Sequence, residues 1–265
     1  MDRGSAAREL PQRAYRVFRD AYLELWCGDC RSACSVFAAD EFDLCIADPP
    51  YNQTSLQWDR WPEGWVNAIG PLISQQGSLW CYGSLRMFMD RREEFHGWKL
   101  AQDIVWRKQN GTTFHADRFR RVHEQIAHFY RGNWRDVYRD VQTTADAVAK
   151  TVTRGQSPAH TGQIRVGHYK SKKGGRRLMR SVLDVRNCHG RAIHPTEKPT
   201  QLIEPIIEYS CRKGGRVFVP FAGSGSELEA ARELGCHAIG FEIDPKYCEK
   251  AKRRLQRSRR SMFAR

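Results

Sequence analysis

The sequence lacks the long apolar runs and the regular cysteine pattern that mark membrane and secreted proteins. No apolar run in its 265 residues approaches the roughly 18 residues that a membrane helix requires. The N-terminal segment MDRGSAARELPQR has no apolar core of a secretory signal. The nine cysteines are odd in number and irregularly spaced, which is typical of a reduced compartment. We therefore expect a soluble, intracellular protein that contacts no membrane.

Signatures of several other protein classes are also missing. The chain contains no Gly-Lys-Ser or Gly-Lys-Thr sequence, which excludes a loop that cradles the phosphates of a nucleoside triphosphate. It contains no Pro-Cys pair of the kind that carries the nucleophile in enzymes that methylate C5 of cytosine. Cys27-x-x-Cys30 has neither a second cysteine pair nor a histidine cluster to complete a zinc site, so we expect no bound metal.

Positive charge is present in excess, and it is clustered. The net charge is +14 at pH 7. Residues 131–191 carry a net charge of +10 and residues 246–265 carry +8, which leaves −4 for the rest of the chain. A mildly acidic body with two basic patches is typical of a protein that binds nucleic acid.

The order of apolar segments predicts an α/β fold. Strands are predicted at 22–26, 42–47, 78–82, 103–106, 124–130, 216–219 and 237–241, and helices at 199–212, 227–234 and from 245 onward. The apolar pattern fades between 133 and 190, where Gly, Ser, Thr and basic residues predominate. We predict a catalytic domain of residues 14–132 and 191–257, an inserted segment of residues 133–190, and disordered tails at 1–13 and 258–265. The fold class is a doubly wound, Rossmann-like sheet.

A glycine-rich turn lies between a predicted strand and a predicted helix, where nucleotide cofactors bind in such folds. Gly223 and Gly225 let the backbone approach a ligand at the helix N-terminus. Glu242 lies 19 residues beyond Gly223, close to the spacing at which an acid reaches ribose hydroxyls. Leu228 replaces the third glycine of a dinucleotide motif, and Phe221 can pack against a purine. These features favour an adenosyl ligand without a pyrophosphate, namely S-adenosylmethionine.

Asp48-Pro49-Pro50-Tyr51 follows another predicted strand, and its two prolines place it in a loop. Ligands of doubly wound sheets bind beyond the carboxyl ends of strands, so this loop and the glycine-rich turn can line one crevice. An exocyclic amine is a poor nucleophile because its lone pair is delocalised into the ring. Asp48 and the carbonyl of Pro49 can each accept one of its N–H bonds and localise that lone pair for attack on a sulfonium methyl. The ring face of Tyr51, rather than its hydroxyl, is expected to stack on an extruded base.

With these motifs the chain resembles the β subclass of amino-methylating DNA methyltransferases, in which DPPY precedes FxGxG and a target-recognition segment lies between them. The resemblance covers nearly the whole chain and extends to further motifs. These are Cys27-Gly28-Asp29, Trp106-Arg107-Lys108-Gln109-Asn110, His123-Glu124 and His194-Pro195-Thr196-Glu197-Lys198-Pro199. The resemblance implies a sheet of seven strands, a target base flipped out of the duplex, and a basic segment 133–190 that recognises the DNA sequence.

Candidate site residues follow from the motifs and the resemblance. Catalytic roles are expected for Asp48, Pro49, Pro50 and Tyr51. Cofactor binding is expected for Asp29, Asp48, His194, Thr196, Lys198, Phe221, Ala222, Gly223, Ser224, Gly225, Ser226, Glu242 and Ile243. DNA binding is expected for Lys170, Lys172, Lys173, Arg176 and Arg177, which lie too close together for each to reach its own base edge, so that most should contact phosphates.

The sequence therefore predicts methylation of adenine N6 in double-stranded DNA. Methylation of cytosine N4 is the alternative, because both amines need the same chemistry, and the family association of Asp at position 48 favours adenine. Relatives usually carry Asp where this chain has Val219, so a catalytically inactive DNA-binding protein is a further alternative. The resemblance also implies a homodimer in the cytoplasm of a bacterium, encoded by the host or by a phage, serving restriction-modification or epigenetic regulation.

Overall fold

The computed structural model describes residues 14–54, 56, 58–111, 116–154, 167–188 and 192–263. The chain forms two compact units, Met1–Asp140 with Ser181–Arg265 and Val141–Arg180. The second unit thus occupies the middle of the predicted segment 133–190. The predicted tail 1–13 lies outside the described residues.

The strands and helices are numbered in chain order. The strands are β1 (Tyr15–Arg19), β2 (Leu23–Cys27), β3 (Phe42–Ala47), β4 (Ile73–Gly83), β5 (Lys99–Arg107), β6 (His123–Tyr130), β7 (Thr143–Thr144), β8 (Lys150–Arg154), β9 (Gly167–Ser171), β10 (Arg177–Leu178), β11 (Val182–Asp184), β12 (Arg216–Val219) and β13 (His237–Glu242). The helices are α1 (Trp65–Ile69), α2 (Leu85–Asp90), α3 (Thr200–Ser210), α4 (Ser226–Glu233) and α5 (Pro245–Phe263).

A single large sheet organises the first unit. Within the described residues it has nine strands, in the order β1-β2-β13-β12-β3-β4-β6-β5-β11. The five neighbours from β2 to β4 run parallel, whereas β6 is antiparallel to both β4 and β5. The predicted doubly wound α/β fold is confirmed, and two short edge strands, β1 and β11, flank the seven strands between them.

Apolar layers cover both faces of this sheet. Successive residues of β3 point to opposite faces, so that Leu44 and Ile46 pack beneath α3, α4 and α5 while Cys45 and Ala47 pack against the side that carries α1. Such a strand has no face left for water, which is why its sequence is almost continuously apolar. The result is three layers, with helices on both sides of the sheet.

The strand connections diverge between β3 and β12. These two strands are parallel neighbours, with Val217 opposite Leu44 and Phe218 opposite Cys45. From β3 the chain continues through α1 to β4 on one side, and from β12 it continues through α4 to β13 on the other. This point of divergence leaves a crevice at the carboxyl ends of the two strands, where doubly wound proteins bind their ligands.

The second unit, Val141–Arg180, consists of two small antiparallel pairs among its described residues. In one pair β7 meets β10, and in the other β8 meets β9. Arg177 on β10 donates from Nε to Asp146 Oδ1 at 2.6 Å, and Arg176 Nε donates to Thr143 Oγ1 at 2.9 Å. Both hydrogen bonds join the beginning of the unit, residues 143–146, to its end, residues 176–177, and the pairing of Arg177 with Asp146 stabilises the fold of the unit.

Helix α5 continues to Phe263, beyond position 257, where the sequence-based boundary of the catalytic domain was drawn. Among the described residues, no helix has the length and apolar character needed to cross a membrane.

Candidate active site

The predicted site residues meet at one edge of the sheet. Asp29 follows β2, Asp48 follows β3, Phe221 follows β12, and Glu242 ends β13. These strands are parallel, so the four residues open into the same cleft, whose volume is about 2010 Å³. Sites for drug-sized ligands occupy roughly 300–1,000 Å³. The cleft therefore has room for a nucleoside cofactor and a second ring at the same time.

Most of the predicted catalytic and cofactor residues line this cleft. They are Asp29, Asp48, Pro49, Pro50, Tyr51, His194, Thr196, Lys198, Phe221, Ala222, Gly223, Ser224, Ser226, Glu242 and Ile243. Gly225 is instead buried at the start of α4, where its backbone forms part of the turn without lining the cleft. The predicted DNA-binding residues Lys170, Lys172, Lys173, Arg176 and Arg177 all belong to the second unit.

The Asp48 carboxylate is held from two sides. The Tyr51 hydroxyl donates to Oδ1 at 2.8 Å, and the Lys198 ammonium contacts Oδ2. Lys198 Nζ also lies 3.6 Å from Glu124 Oε2, and the other oxygen of Glu124 contacts Lys108. Asp48, Lys198, Glu124 and Lys108 thus form a row of alternating charge, which we call the buried ion chain. The side chain of Lys198, at its centre, is only 3% exposed.

Within the buried ion chain, Lys198 and Glu124 are held in their charged forms by their neighbours. Burial by itself would lower the pKa of Lys198, but the Asp48 and Glu124 carboxylates outweigh it and raise that pKa above its usual value. Burial likewise disfavours ionised Glu124, yet Lys198 and Lys108 hold the pKa of Glu124 below its usual value. Lys198 is therefore a fixed positive charge beside Asp48.

Tyr51 has a contact that its sequence motif does not indicate. Burial, and next the negative charge of Asp48, raise the pKa of Tyr51 well above its usual value, so its hydroxyl remains a hydrogen-bond donor. The sequence predicted a role for the ring face alone. The structure adds a second role, in which the hydroxyl orients Asp48.

The loop after Tyr51 is fixed by Asp59, a residue that no motif singled out. Its carboxylate accepts hydrogen bonds from the backbone N–H groups of Asn52 at 2.8 Å, Gln53 at 2.9 Å and Thr54 at 2.7 Å. Asn52 has a left-handed backbone with φ of 56°. A buried carboxylate that accepts three N–H bonds stabilises this turn and with it the position of Asp48 and Tyr51.

The glycine-rich turn and Glu242 form one structure. Gly223 and Gly225 have φ values of 49° and 79°, a backbone conformation that residues with a side chain rarely adopt. Glu242 Oε2 accepts from the N–H of Gly223 at 2.8 Å, and Oε1 accepts from the N–H of Asp244 at 2.8 Å. The buried acid fixes the turn and keeps further lone pairs for a ligand. These residues fit the predicted adenosyl cofactor.

Two other predicted cofactor residues already have protein partners. Asp29 accepts from the Arg31 backbone N–H at 2.8 Å and from Arg31 Nε at 2.9 Å, so its carboxylate is neutralised locally. His194 lies between the rings of Trp58 and Tyr247, with centroids at 5.3 and 4.2 Å, and burial lowers its pKa. Their contacts with a cofactor remain predictions.

Glu227 is an acidic residue in the cleft that the sequence reasoning missed. It directly follows the glycine-rich turn and is only 5% exposed. Burial raises the pKa of its carboxyl to about 7. Val219, where relatives usually have an acid, is fully buried in the apolar core. Val219 at the end of β12 thus supplies no carboxyl, but Glu227 at the start of α4, on the other side of the glycine-rich turn, does supply one to the cleft.

The fold and this cleft define a doubly wound α/β enzyme with a nucleotide-cofactor site at its switch point. Among the described residues, no group of His, Cys, Asp and Glu is arranged to hold a metal ion. The family model of the N6/N4 DNA methylases matches residues 42–253. The chain belongs to this family of DNA methylases, which use S-adenosylmethionine to methylate an exocyclic amine.

The individual relatives share only a low sequence identity with this chain. The Type II methyltransferase M.HinfI of Haemophilus influenzae is 24% identical over 261 residues, covering 86% of this chain and 67% of the relative. The structure of the M1.HpyAVI–SAM complex has a TM-score of 0.58 at 21% identity, covering 88% of this chain and all of the other. The cytosine-N4-specific PvuII DNA methyltransferase has a TM-score of 0.61 at 15% identity, covering 87% of this chain and 85% of the other. These structural likenesses support the fold.

Proposed function

We propose that this chain transfers the methyl group of S-adenosylmethionine to N6 of adenine in double-stranded DNA, after the adenine has rotated out of the duplex. The observation that carries this proposal is the Asp48 carboxylate, held between the Tyr51 hydroxyl and the Lys198 ammonium in the cleft that also contains the glycine-rich turn. Methylation of an exocyclic amine requires a hydrogen-bond acceptor for the amine and a turn that binds the cofactor, and this cleft contains both.

Asp48 retains the capacity to accept a hydrogen bond from a target amine. A carboxylate offers about four lone-pair positions on its two oxygens. Tyr51 and Lys198 occupy one on each oxygen, so a further position remains for one N–H of the amine. The carbonyl of Pro49 accepts the other N–H, and the fixed φ of proline keeps that carbonyl in place. With both N–H bonds held, the nitrogen lone pair is localised for attack on the methyl carbon, and the proton that the amine loses on methylation leaves through its hydrogen bond to Asp48.

When bound, the cofactor would supply an electrophilic methyl group on a sulfonium, whose sulfur would keep the electron pair of the broken bond and leave as a neutral thioether. The glycine-rich turn at Gly223 receives the cofactor, Glu242 accepts from its ribose hydroxyls, and Phe221 packs against its purine. The support for Glu242 is its position at the end of β13 and its fixed, buried carboxylate. The basic segment 133–190 recognises the DNA sequence, and the active assembly is a homodimer.

Adenine is preferred to cytosine because position 48 carries Asp, the residue associated with N6-adenine members of the family. Methylation of cytosine N4 is the second candidate, and PvuII DNA methyltransferase, a structural relative, is cytosine-N4-specific. The same acceptors serve either amine, so the geometry of Asp48 and Pro49 supports both.

Single-molecule sequencing of DNA from a host that expresses the chain tests the proposal. We expect N6-methyladenine in one sequence context with the parent protein and none with Asp48→Ala. Asp103→Ala, which removes an exposed carboxylate on β5, is the matched control and should preserve methylation. N4-methylcytosine in place of N6-methyladenine would establish the second candidate. A folded protein that binds DNA without any modification would establish the inactive alternative.

A further inference from the structure

A fully exposed aromatic side chain lies in a basic segment beside the candidate active site. Phe119 is 100% exposed, with Asp117 and Arg118 before it and Arg120 and Arg121 after it. Isolated apolar side chains are common on protein surfaces, and exposure alone indicates no function. What distinguishes Phe119 is its position at the cleft and the charge of its neighbours.

Phe119 belongs to the connection between β5 and β6 at the edge of the sheet that holds Asp48. It lines the cleft that contains Asp48. The segment leads directly into Glu124 of the buried ion chain, five residues further on. It is also tied to the catalytic loop, because Arg121 Nη1 donates to Gln53 Oε1 at 3.3 Å. Phe119 therefore lies at the cleft that the target base is proposed to enter.

The charges around Phe119 suit the backbone of DNA. Three arginines stand against one aspartate between 117 and 121. Arg118 pairs with Asp117 at 2.6 Å, but both side chains are more than half exposed, at 59% and 65%. Exposed pairs of this kind are weak, so a phosphate can replace the carboxylate as the partner of Arg118. Arginines beside an apolar ring combine contacts to phosphates with a group that can enter the base stack.

We infer that Phe119 inserts into the duplex at the position that the target base leaves when it rotates into the cleft. This inference rests on the proposed function, since it assumes that the target is a base of double-stranded DNA. Extruding a base breaks its stacking on both neighbours. An aromatic ring in the gap stacks on the exposed neighbours, closes the helix behind the flipped base, and stabilises the extruded state.

The experiment uses short duplexes that carry the sequence context found by sequencing. In one duplex the target base is paired, and in the other it faces an abasic site, so that extrusion costs little. Phe119→Ala is expected to lower kcat/KM on the paired target by about 5- to 160-fold, the range set by one base–aromatic stack. On the unpaired target the loss should nearly disappear, and Phe119→Trp should retain activity on both duplexes.

Two variants serve as controls. Leu100→Ala removes another exposed apolar side chain, 63% exposed, from the opposite end of β5, and it should leave both activities unchanged. Arg118→Gln removes a phosphate contact rather than a wedge, so it should weaken transfer to both duplexes alike. A loss in Phe119→Ala that is equal on the two duplexes, or no loss on either, would overturn the role of Phe119 as a wedge.

A fluorescence measurement separates this inference from the proposed function. With 2-aminopurine at the target position, binding by the parent protein should raise the fluorescence as the base leaves the stack, and Phe119→Ala should raise it less. If the parent shows the rise, Phe119→Ala shows a smaller one, and no methyl group is transferred, then the proposed function fails and the wedge is supported. If the parent transfers methyl to the paired duplex and Phe119→Ala shows the same rise as the parent, the wedge fails alone. If the parent neither transfers methyl nor shows the rise, both fail.

Discussion

At the scale of single residues, Lys198 is placed to act on the proposed chemistry through Asp48 rather than on the reacting atoms. Its ammonium contacts Asp48 and lies 3.6 Å from Glu124, deep in the cleft. We predict that Lys198→Met lowers kcat strongly and changes KM for S-adenosylmethionine only a few-fold. Removing one partner of a buried ion pair costs about 3–5 kcal/mol, so the free energy of unfolding should also fall.

Initial rates at varied cofactor concentration, together with urea unfolding, check the prediction for Lys198. Lys213→Met, which neutralises an exposed lysine, is the matched control and should change neither quantity. A large rise in KM with kcat preserved would instead place Lys198 on the cofactor, as its sequence motif suggested.

The Tyr51 hydroxyl can be tested separately from its ring. Tyr51→Phe removes the 2.8 Å hydrogen bond to Asp48 but keeps the aromatic face. A hydrogen bond to a charged group contributes about 1.5–3 kcal/mol, so we predict a loss of that size in transition-state stabilisation. Steady-state kcat/KM should fall for Tyr51→Phe and fall further for Tyr51→Ala. Equal activity of Tyr51→Phe and the parent would leave the ring face as the only role.

Glu227 makes stability depend on pH. Its carboxyl has a pKa of about 7 in the folded protein, raised from 4.5 by burial. Below pH 4.5 both states hold the proton, and between pH 4.5 and 7 only the folded state does, so unfolding becomes easier as pH rises through that window. The contribution amounts to about 3 kcal/mol.

Glu227→Gln removes this titration and keeps the shape of the side chain. The free energy of unfolding of the variant, relative to the parent, should therefore increase from pH 4.5 to pH 7 and then level off. Urea unfolding of both proteins at several pH values measures this difference. Parallel pH profiles of the two proteins would show that folding does not shift the pKa of Glu227.

The residues that sequence reasoning could predict are those whose function resides in a local motif. Asp48, Gly223 and Glu242 were identifiable because each lies at or shortly after the carboxyl end of a strand, within a motif of characteristic spacing. The buried ion chain was not predictable as a unit, because Lys198 lies 150 residues from Asp48 and only the sheet brings them together. Asp59 carried no signal at all, since its function depends on backbone N–H groups that any sequence supplies.

At the scale of elements, a buried ion pair joins the C-terminal helices to the first hairpin. Arg232 of α4 donates to Asp20, between β1 and β2, at 2.8 Å and to the carbonyl of Leu255 of α5 at 3.2 Å. The side chains of Arg232 and Asp20 are 2% and 4% exposed. Replacement of Arg232 by leucine leaves the Asp20 carboxylate buried without its cation.

We predict that Arg232→Leu lowers the free energy of unfolding by about 3–5 kcal/mol. Arg253→Leu on α5 is the control, because Arg253 is 67% exposed and its pairing with Glu249 should contribute no more than about 1 kcal/mol. Urea unfolding of the three proteins gives the comparison. A loss in Arg232→Leu no larger than that in Arg253→Leu would show that the hairpin is held by apolar packing alone.

Strands and helices with a strong apolar pattern could be predicted from the sequence. Strands that form only because they pair with another strand could not. The buried strands β3 and β12 and the helix α3 follow from their own sequences. The edge strand β1 is exposed over much of its length and is fixed by pairing with β2, so its sequence carries little signal. The short strands β7 and β10 are two residues each and exist only through their pairing with each other.

At the scale of the whole molecule, positive charge is concentrated in two segments, and the one with a net charge of +10, residues 131–191, contains the residues that are expected to bind DNA. Lys170, Lys172 and Lys173 of the second unit are exposed. Arg177 differs from them, because both its Nε and a terminal nitrogen of its guanidinium contact the Asp146 carboxylate. The planar donors of arginine match O6 and N7 of guanine, so Arg176 and Arg177 are better candidates than the lysines for reading guanine. With the fork of Arg177 occupied, Arg176 is the stronger candidate of the two.

A salt titration of DNA binding separates these roles. Each of Lys170→Ala, Lys172→Ala and Lys173→Ala should weaken binding to cognate and scrambled duplexes alike and lower the salt slope by about one unit, because a phosphate contact carries no sequence information. Arg176→Ala should cost about 1–3 kcal/mol on the cognate duplex only, as expected for a bidentate contact to guanine. Lys213→Ala in the first unit is the control and should leave the slope unchanged. If all four variants in the basic segment bind both duplexes like the parent, the second unit does not contact DNA, and sequence recognition must reside in the first unit.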